Sequence, residues 1–384
     1  MAKIQGESKL SFFEATGIIV GHGVGAGILA VPALAARNSL REILLILCFC
    51  YLFNLVLHLI IAELSYNNGG AQFISCFDRE LFSGKFKKIF TWAAFALLGL
   101  SVLMNVSSFL TGAANVFNEW LGLDSTLGML LFYVLGAGVV FFGMKLVGIC
   151  EKYAVAAMVL VMALLFVFTL TGQIQPLPSD FGGGKNALAL LSVISFSLSA
   201  VMSTPQVVKG LEGDVKRIRL SVAAGLAINA ALILLVTVTT LLGVGAPNVT
   251  EMGALVDLSS RLGGWVSVVG YVFSLLALAT SFWANTLNLR DIVHEQTHWN
   301  KNLSWLCASL PCLVLALLSS LSFVKFTMFA SAIQVVTGLG IIFAYHLSRK
   351  RVGSADIVGR FGTLPFQILV FVCTMLATVG SFMS

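Results

Sequence analysis

Eleven runs of about twenty apolar residues, each bounded by charge or by turn-forming residues, fill this chain almost from end to end. A helix of that length crosses the hydrocarbon of a bilayer because its backbone N–H and C=O groups are satisfied within the segment. The runs are 12–35, 40–65, 88–117, 126–144, 150–172, 187–210, 217–244, 264–289, 303–321, 326–347 and 363–383. Strands of a β-barrel would be shorter and would alternate polar with apolar residues, a pattern absent here. The expected fold is an all-α integral membrane protein of eleven transmembrane helices. No connecting segment is long enough to fold alone, so a single domain is expected over 1–384.

Composition narrows the function. Only 10% of the 384 residues are charged and 58% are hydrophobic, whereas a soluble protein carries about 25% charge. Such a chain cannot clothe a globular surface, which excludes a soluble enzyme, a nucleic-acid module and a disordered scaffold. The net charge of +6 reads as positive-inside bias, and no nucleic-acid partner is expected. With the N-terminus in the cytoplasm and loops alternating, only Arg37, Arg41, Lys185, Arg261 and Lys325 of the 23 Lys and Arg fall outside. That asymmetry places the C-terminus outside. A multi-pass protein of the plasma membrane is expected (the inner membrane in a Gram-negative cell), with no cleavable signal. The seven cysteines lie mostly in apolar runs and suggest neither disulfides nor a metal site. The oligomeric state is not written in the sequence, and a monomer suffices.

Two spans do not read as plain helices. The first contains Gly21-His22-Gly23-Val24-Gly25-Ala26-Gly27-Ile28, with Gly17 a turn before and Pro32 a turn after. Each interior glycine costs about 1 kcal/mol relative to alanine, so continuous helix is disfavoured. Close helix packing of the small-xxx-small kind is the alternative. The loose Gly-x-Gly-x-x-Ala match to a dinucleotide motif fails, because no strand precedes it. The sixth span carries Ser195, Ser197, Ser199 and Ser203 ahead of Thr204-Pro205, a second weak helix. Non-helical backbone survives at membrane depth only where protein buries it or where it lines a cavity. Breaks at spans one and six occupy matching places in two five-helix halves, 12–172 and 187–347, with 363–383 an extra helix. That is the mark of an inverted-repeat secondary transporter.

The stretch Gly23 to Pro32 resembles the first-helix motif of the amino acid/auxin permease group and the related bacterial aromatic amino acid permeases, in the amino acid–polyamine–organocation superfamily. Pro205 to Arg219, with Gly213-Asp214 and Lys216-Arg217, is similar to the segment after their sixth helix. The resemblance implies a LeuT-type 5+5 inverted repeat and a symporter importing neutral, hydrophobic amino acids. It implies no enzyme activity and no cofactor. By the same resemblance a sodium ion would sit between the carbonyls of Gly21 and Val24 and the Ala277, Thr280 and Ser281 group of span eight. A second sodium would need an amide side chain where Ile28 stands, so one sodium at most is expected. A proton is the alternative coupling ion, and amino-acid sensing without transport the alternative function.

Substrate contacts follow from the zwitterion. Amides of Gly25, Ala26 and Gly27, at the positive end of the second half-helix, suit a carboxylate. Carbonyls near Gly21, His22 and Gly23, and near Ser195, Ser197 and Ser199, suit an ammonium. Ser101, Asn105 and Ser108 share a face of span three and could line the pocket, as could Asn285 and Gln334. His22 is the titratable group in the break, and His58 with Glu63 reads as a polar cluster at the inner end of span two. Lys152 is placed at the shallow start of span five. The span centres read as free of Asp, Glu, Lys and Arg, which argues against a relay of buried carboxylates.

Overall fold

Ser11 starts the first helix by a reciprocal cap. Its hydroxyl accepts from the Glu14 amide, and the Glu14 carboxylate accepts from the Ser11 amide at 2.7 Å. Ser39 and Glu42 start the second span in the same way. Each cap satisfies donors that the first helical turn leaves without partners. A computed structural model describes residues 4, 9–25, 27–250, 254–319, 321 and 323–381, and no strand occurs among them.

The helices are α1 (Phe12–Gly23), α2 (Gly27–Ala35), α3 (Leu40–Asn67), α4 (Phe73–Glu80), α5 (Lys87–Leu121), α6 (Ser125–Phe141), α7 (Met144–Leu170) and α8 (Gly183–Ser197). After a 3-10 turn at Val201–Ser203 come α9 (Thr204–Gly210), α10 (Val215–Val244), α11 (Ala254–Leu262), α12 (Trp265–Thr297), α13 (Lys301–Leu318), α14 (Phe323–Val352) and α15 (Leu364–Gly380).

Among the described residues, α3, α5, α7, α10, α12, α13 and the α8–α9 run over Gly183–Gly210 are long and apolar enough to span a bilayer. α1 and α2 together form a further span, bent by 58° at the break. α6 and α15 are shorter apolar helices. The eleven expected segments are compatible with this arrangement, each falling on one helix or one interrupted pair. Large side chains such as Leu131, Val134 and Leu135 of α6 point outward, as a chain solvated by lipid requires.

Two of the connections are themselves helical, α4 and α11 being short amphipathic helices between spans. In α4, Phe73, Ile74, Cys76 and Phe77 are buried while Ser75, Asp78 and Arg79 face away from the core. Span five begins at Met144 rather than 150. Glu151 therefore lies two turns inside a helix and is fully buried, so this span carries an acid in the protein interior.

Candidate functional site

α1 is central, packed on α7, α10 and α12. Its glycines divide into two jobs. Gly17 lets α1 and α7 approach closely, since a Cβ there would stand 2.9 Å from the Lys152 amide nitrogen. One turn on, a Cβ at Gly21 would overlap the Glu151 carboxylate and reach Thr280 Cβ at 3.0 Å. Gly17 and Gly21 are thus packing glycines of the small-xxx-small kind. Helix α1 ends at Gly23, with Val24 as its cap, and α2 resumes at Gly27. Both readings of the glycine run hold, each for different residues.

Within the break, the Gly25 amide donates to the Gly23 carbonyl at 2.8 Å, and the Gly25 carbonyl accepts from Ile28 at 3.2 Å. Of the amides expected to face a carboxylate, that of Gly25 is therefore engaged within the break. Ala26 lies outside the described residues, as does the side chain of Gln334. Gly27 faces the end of α8, just ahead of the second break, for a Cβ there would meet Ser197 Oγ at 3.1 Å.

The second break runs from Leu198 to Ser203. Pro205 does not kink a helix but sits in the first turn of α9, where its missing N–H is not needed. Two contacts from neighbouring helices hold the unwound backbone, and a third reaches the Ser203 side chain. The His58 Nε2 accepts from the Ala200 amide at 2.9 Å, and its Nδ1 lies 2.6 Å from the Asn54 carbonyl. A carbonyl can only accept, so His58 is neutral and carries its proton on Nδ1. The Asn288 side chain donates to the Met202 carbonyl. The third contact joins the breaks, with His22 Nδ1 at 2.8 Å from Ser203 Oγ.

His58 and Glu63 do not form one cluster. Glu63 faces elsewhere, accepting from the Ile357 and Val358 amides at 2.9 and 3.0 Å and from Tyr345 at 3.0 Å.

α12 forms the opposite wall. Thr280 Oγ1 donates to the Ala277 carbonyl at 3.0 Å, and all three residues Ala277, Thr280 and Ser281 are buried. A Cβ on Gly25 would approach Ser281 Oγ at 3.3 Å. The Gly21 to Gly25 segment and the span-eight hydroxyl pair are therefore in contact. Carbonyl and hydroxyl oxygens are hard donors suited to a small cation, and no group of three His, Cys, Asp or Glu capable of holding a metal occurs among the described residues.

The remaining expected residues divide. Asn105 reaches across from α5 to donate to Asn285 Oδ1 at 3.4 Å, and Asn285 donates to the Ser281 carbonyl at 2.9 Å. Ser108 bonds to the Asn105 carbonyl on its own helix at 2.6 Å, and Ser101 is buried. Ser195 accepts from Asn54 at 3.5 Å. Ser197 Oγ is buried with no hydrogen-bond partner among the described residues. His22, Gly25, Gly27, Asn105 and Ser199 all keep part of their surface open. An open, mostly apolar pocket of about 200 Å³ lies beside this wall, lined by Leu29, Asn115, Val116, Ser274, Ala277 and Leu278 among others.

Glu151 and His58 are the site residues that sequence reasoning misplaced. Lys152, the charge next to Glu151 in the sequence, turns aside, its Nζ 4.4 Å from the Tyr153 ring centroid.

Residues 8–379 match the model of the tryptophan/tyrosine permease family. No curated protein sequence matches the chain. Among solved structures, the chain is similar to MhsT in complex with L-phenylalanine, at 15% identity and a TM-score of 0.72, covering 98% of this chain and 100% of that one. It is also similar to Mhp1, a nucleobase-cation-symport-1 family transporter in a closed conformation with bromovinylhydantoin bound, at 14% identity and a TM-score of 0.67. That match covers 100% of this chain and 94% of Mhp1. The fold is that of the LeuT-type transporters.

Proposed function

The chain belongs to the tryptophan/tyrosine permease family, and from that premise we propose that it imports neutral, hydrophobic amino acids by sodium-coupled alternating access. It is a multi-pass membrane transporter of amino acids and not an enzyme. Sodium as the coupling ion and the hydrophobic substrate are the finer reading. The observation that carries the reading is the contact of the first span, at and just before its break, with Thr280 and Ser281 through Gly21 and Gly25 on one side and with Ser203 of the second break through His22 on the other.

The division of labour follows from charge. A substrate carboxylate meets the Gly27 amide, at the positive end of α2, and the Ser197 hydroxyl. Its ammonium meets carbonyls at the C-terminal end of α1 around Gly21 and His22, and at the end of α8. The sodium takes the Gly21, Val24 and Ala277 carbonyls with the Thr280 and Ser281 hydroxyls. Binding both ligands at one broken helix couples them, because each orders backbone that the other uses. The family description, and L-phenylalanine in MhsT, make aromatic amino acids the first substrates to try. The basic residues gathered on one side support an N-terminus in the cytoplasm.

Uptake of radiolabelled L-tryptophan, L-tyrosine and L-phenylalanine into proteoliposomes tests the proposal. Accumulation under an inward sodium gradient, collapsing when the gradient is dissipated, is expected. Uptake driven by a proton gradient without sodium would transfer the coupling role to the proton. No uptake of any of the three would overturn the reading.

A further inference from the structure

Glu151 belongs to a buried stripe of α7 whose other members, Val147, Gly148, Ala154 and Val155, carry no charge. Its residue exposure is 0%. Neither carboxylate oxygen has a hydrogen-bond partner among the described residues. The nearest candidates for a counter-charge along α7 are engaged elsewhere. Lys145 binds Glu14 at 2.6 Å, and Lys152 lies over Tyr153. A buried carboxylate left without partners is strongly unfavourable and calls for a compensating charge.

The direction of the side chain says where that charge would sit. Glu151 Cδ is 2.6 Å, and Thr280 Cβ 3.0 Å, from the position that a Cβ on Gly21 would take. The carboxylate therefore fits the space left by the absent side chain at Gly21, between α1 and Thr280 of α12. Any residue larger than glycine at 21 would expel it.

We propose that Glu151 is a ligand of the coupling cation, supplying a carboxylate to the site formed by Gly21, Val24, Ala277, Thr280 and Ser281. This inference rests on the cation reading above and deepens it. The site then holds one negative side chain, three carbonyls and two hydroxyls. A bound monovalent cation neutralises it, and the zwitterionic substrate adds no net charge.

Sodium alone is the probe. The melting temperature of the purified full chain is followed as sodium chloride replaces choline chloride at constant ionic strength, since a ligand that binds the native state stabilises it in proportion to its saturation. Wild type should be stabilised, and Glu151→Gln should raise the half-saturating sodium concentration at least about tenfold, as for the loss of one charge-assisted contact. Glu151→Asp should fall between the two. If Thr280→Ala shifts the curve but Glu151→Gln superimposes on wild type, the carboxylate assignment is overturned and the cation site stands. If wild type shows no response to sodium, both are overturned. Should Glu151→Gln fail to fold, wild type decides by mass spectrometry. Saturating sodium should protect Glu151 from dicyclohexylcarbodiimide, and equal labelling in sodium and choline would overturn the assignment.

Discussion

His22 Nδ1 stands 2.8 Å from Ser203 Oγ, so the interrupted first and sixth spans touch at their breaks. Residues 181 positions apart thus share one polar contact in a largely apolar interior. Neither break is then independent of the other, and a ligand that reorders one acts on both.

His22→Ala should weaken amino acid binding by about tenfold, the size of one hydrogen bond at about 1 to 1.5 kcal/mol. His22→Asn, whose amide can occupy the place of Nδ1, should recover most of the loss. Binding isotherms of the two variants check this, and equal affinity in both would count against the contact.

His58 acts on the fold of the second break. Its Nε2 is the partner of the Ala200 amide, and removing it strands a buried donor at a cost of about 1–3 kcal/mol. His58→Ala should lower the melting temperature in detergent, and His58→Gln, which keeps an acceptor, should lower it less. An unchanged melting temperature in His58→Ala would remove this role.

The glycines should separate by task. Gly21→Ala displaces Glu151 and presses on Thr280, so it should abolish sodium stabilisation. Gly17→Ala meets the Lys152 backbone and should lower stability without changing the half-saturating sodium concentration. Gly25→Leu should abolish amino acid binding. Melting curves against sodium distinguish the first pair.

Thr280→Ala and Ser281→Ala each delete one hydroxyl beside the first break. Each should raise the sodium concentration for half-maximal uptake, with the maximal rate at saturating sodium changed less. Sodium activation curves superimposable on wild type would place the cation elsewhere.

Outside the membrane-spanning helices, Glu80 at the end of α4 accepts from Arg351 Nε at 3.1 Å and from Asn68 at 3.0 Å. Burial alone would raise its carboxyl, but the Arg351 and Asn68 hydrogen bonds outweigh burial and hold it below the usual carboxylate value. A depressed folded value stabilises above the unfolded pKa, and the contribution is lost as pH falls through the folded one. Glu80→Gln should therefore lower the melting temperature at pH 7, and the gap from wild type should close as pH falls through the depressed folded value, below the usual carboxylate range. A gap that persists at low pH would contradict the ion pair.

Much of this was legible in the residues. Glycine and proline carry large helix penalties, so the breaks near Gly23 to Gly27 and before Pro205 stood out from apolar surroundings, and spans bounded by charge were easy to delimit. The same rule hid Glu151. Charges read as helix ends, which puts the start of span five at Cys150 and leaves Glu151-Lys152 at a membrane edge. Met144 begins the helix instead, and the close approach that Gly17 allows turns Glu151 inward. His58 is hidden for a different reason. Nothing local in span two shows that the partner of its Nε2 is an amide 142 residues away.

Equilibrium binding of L-tryptophan to the purified protein in sodium chloride against choline chloride tests the central claim most directly. The account predicts saturable sodium dependence, and reciprocity requires that L-tryptophan tighten sodium binding by the same factor by which sodium tightens that of L-tryptophan. Equal L-tryptophan affinity in the two salts would contradict it.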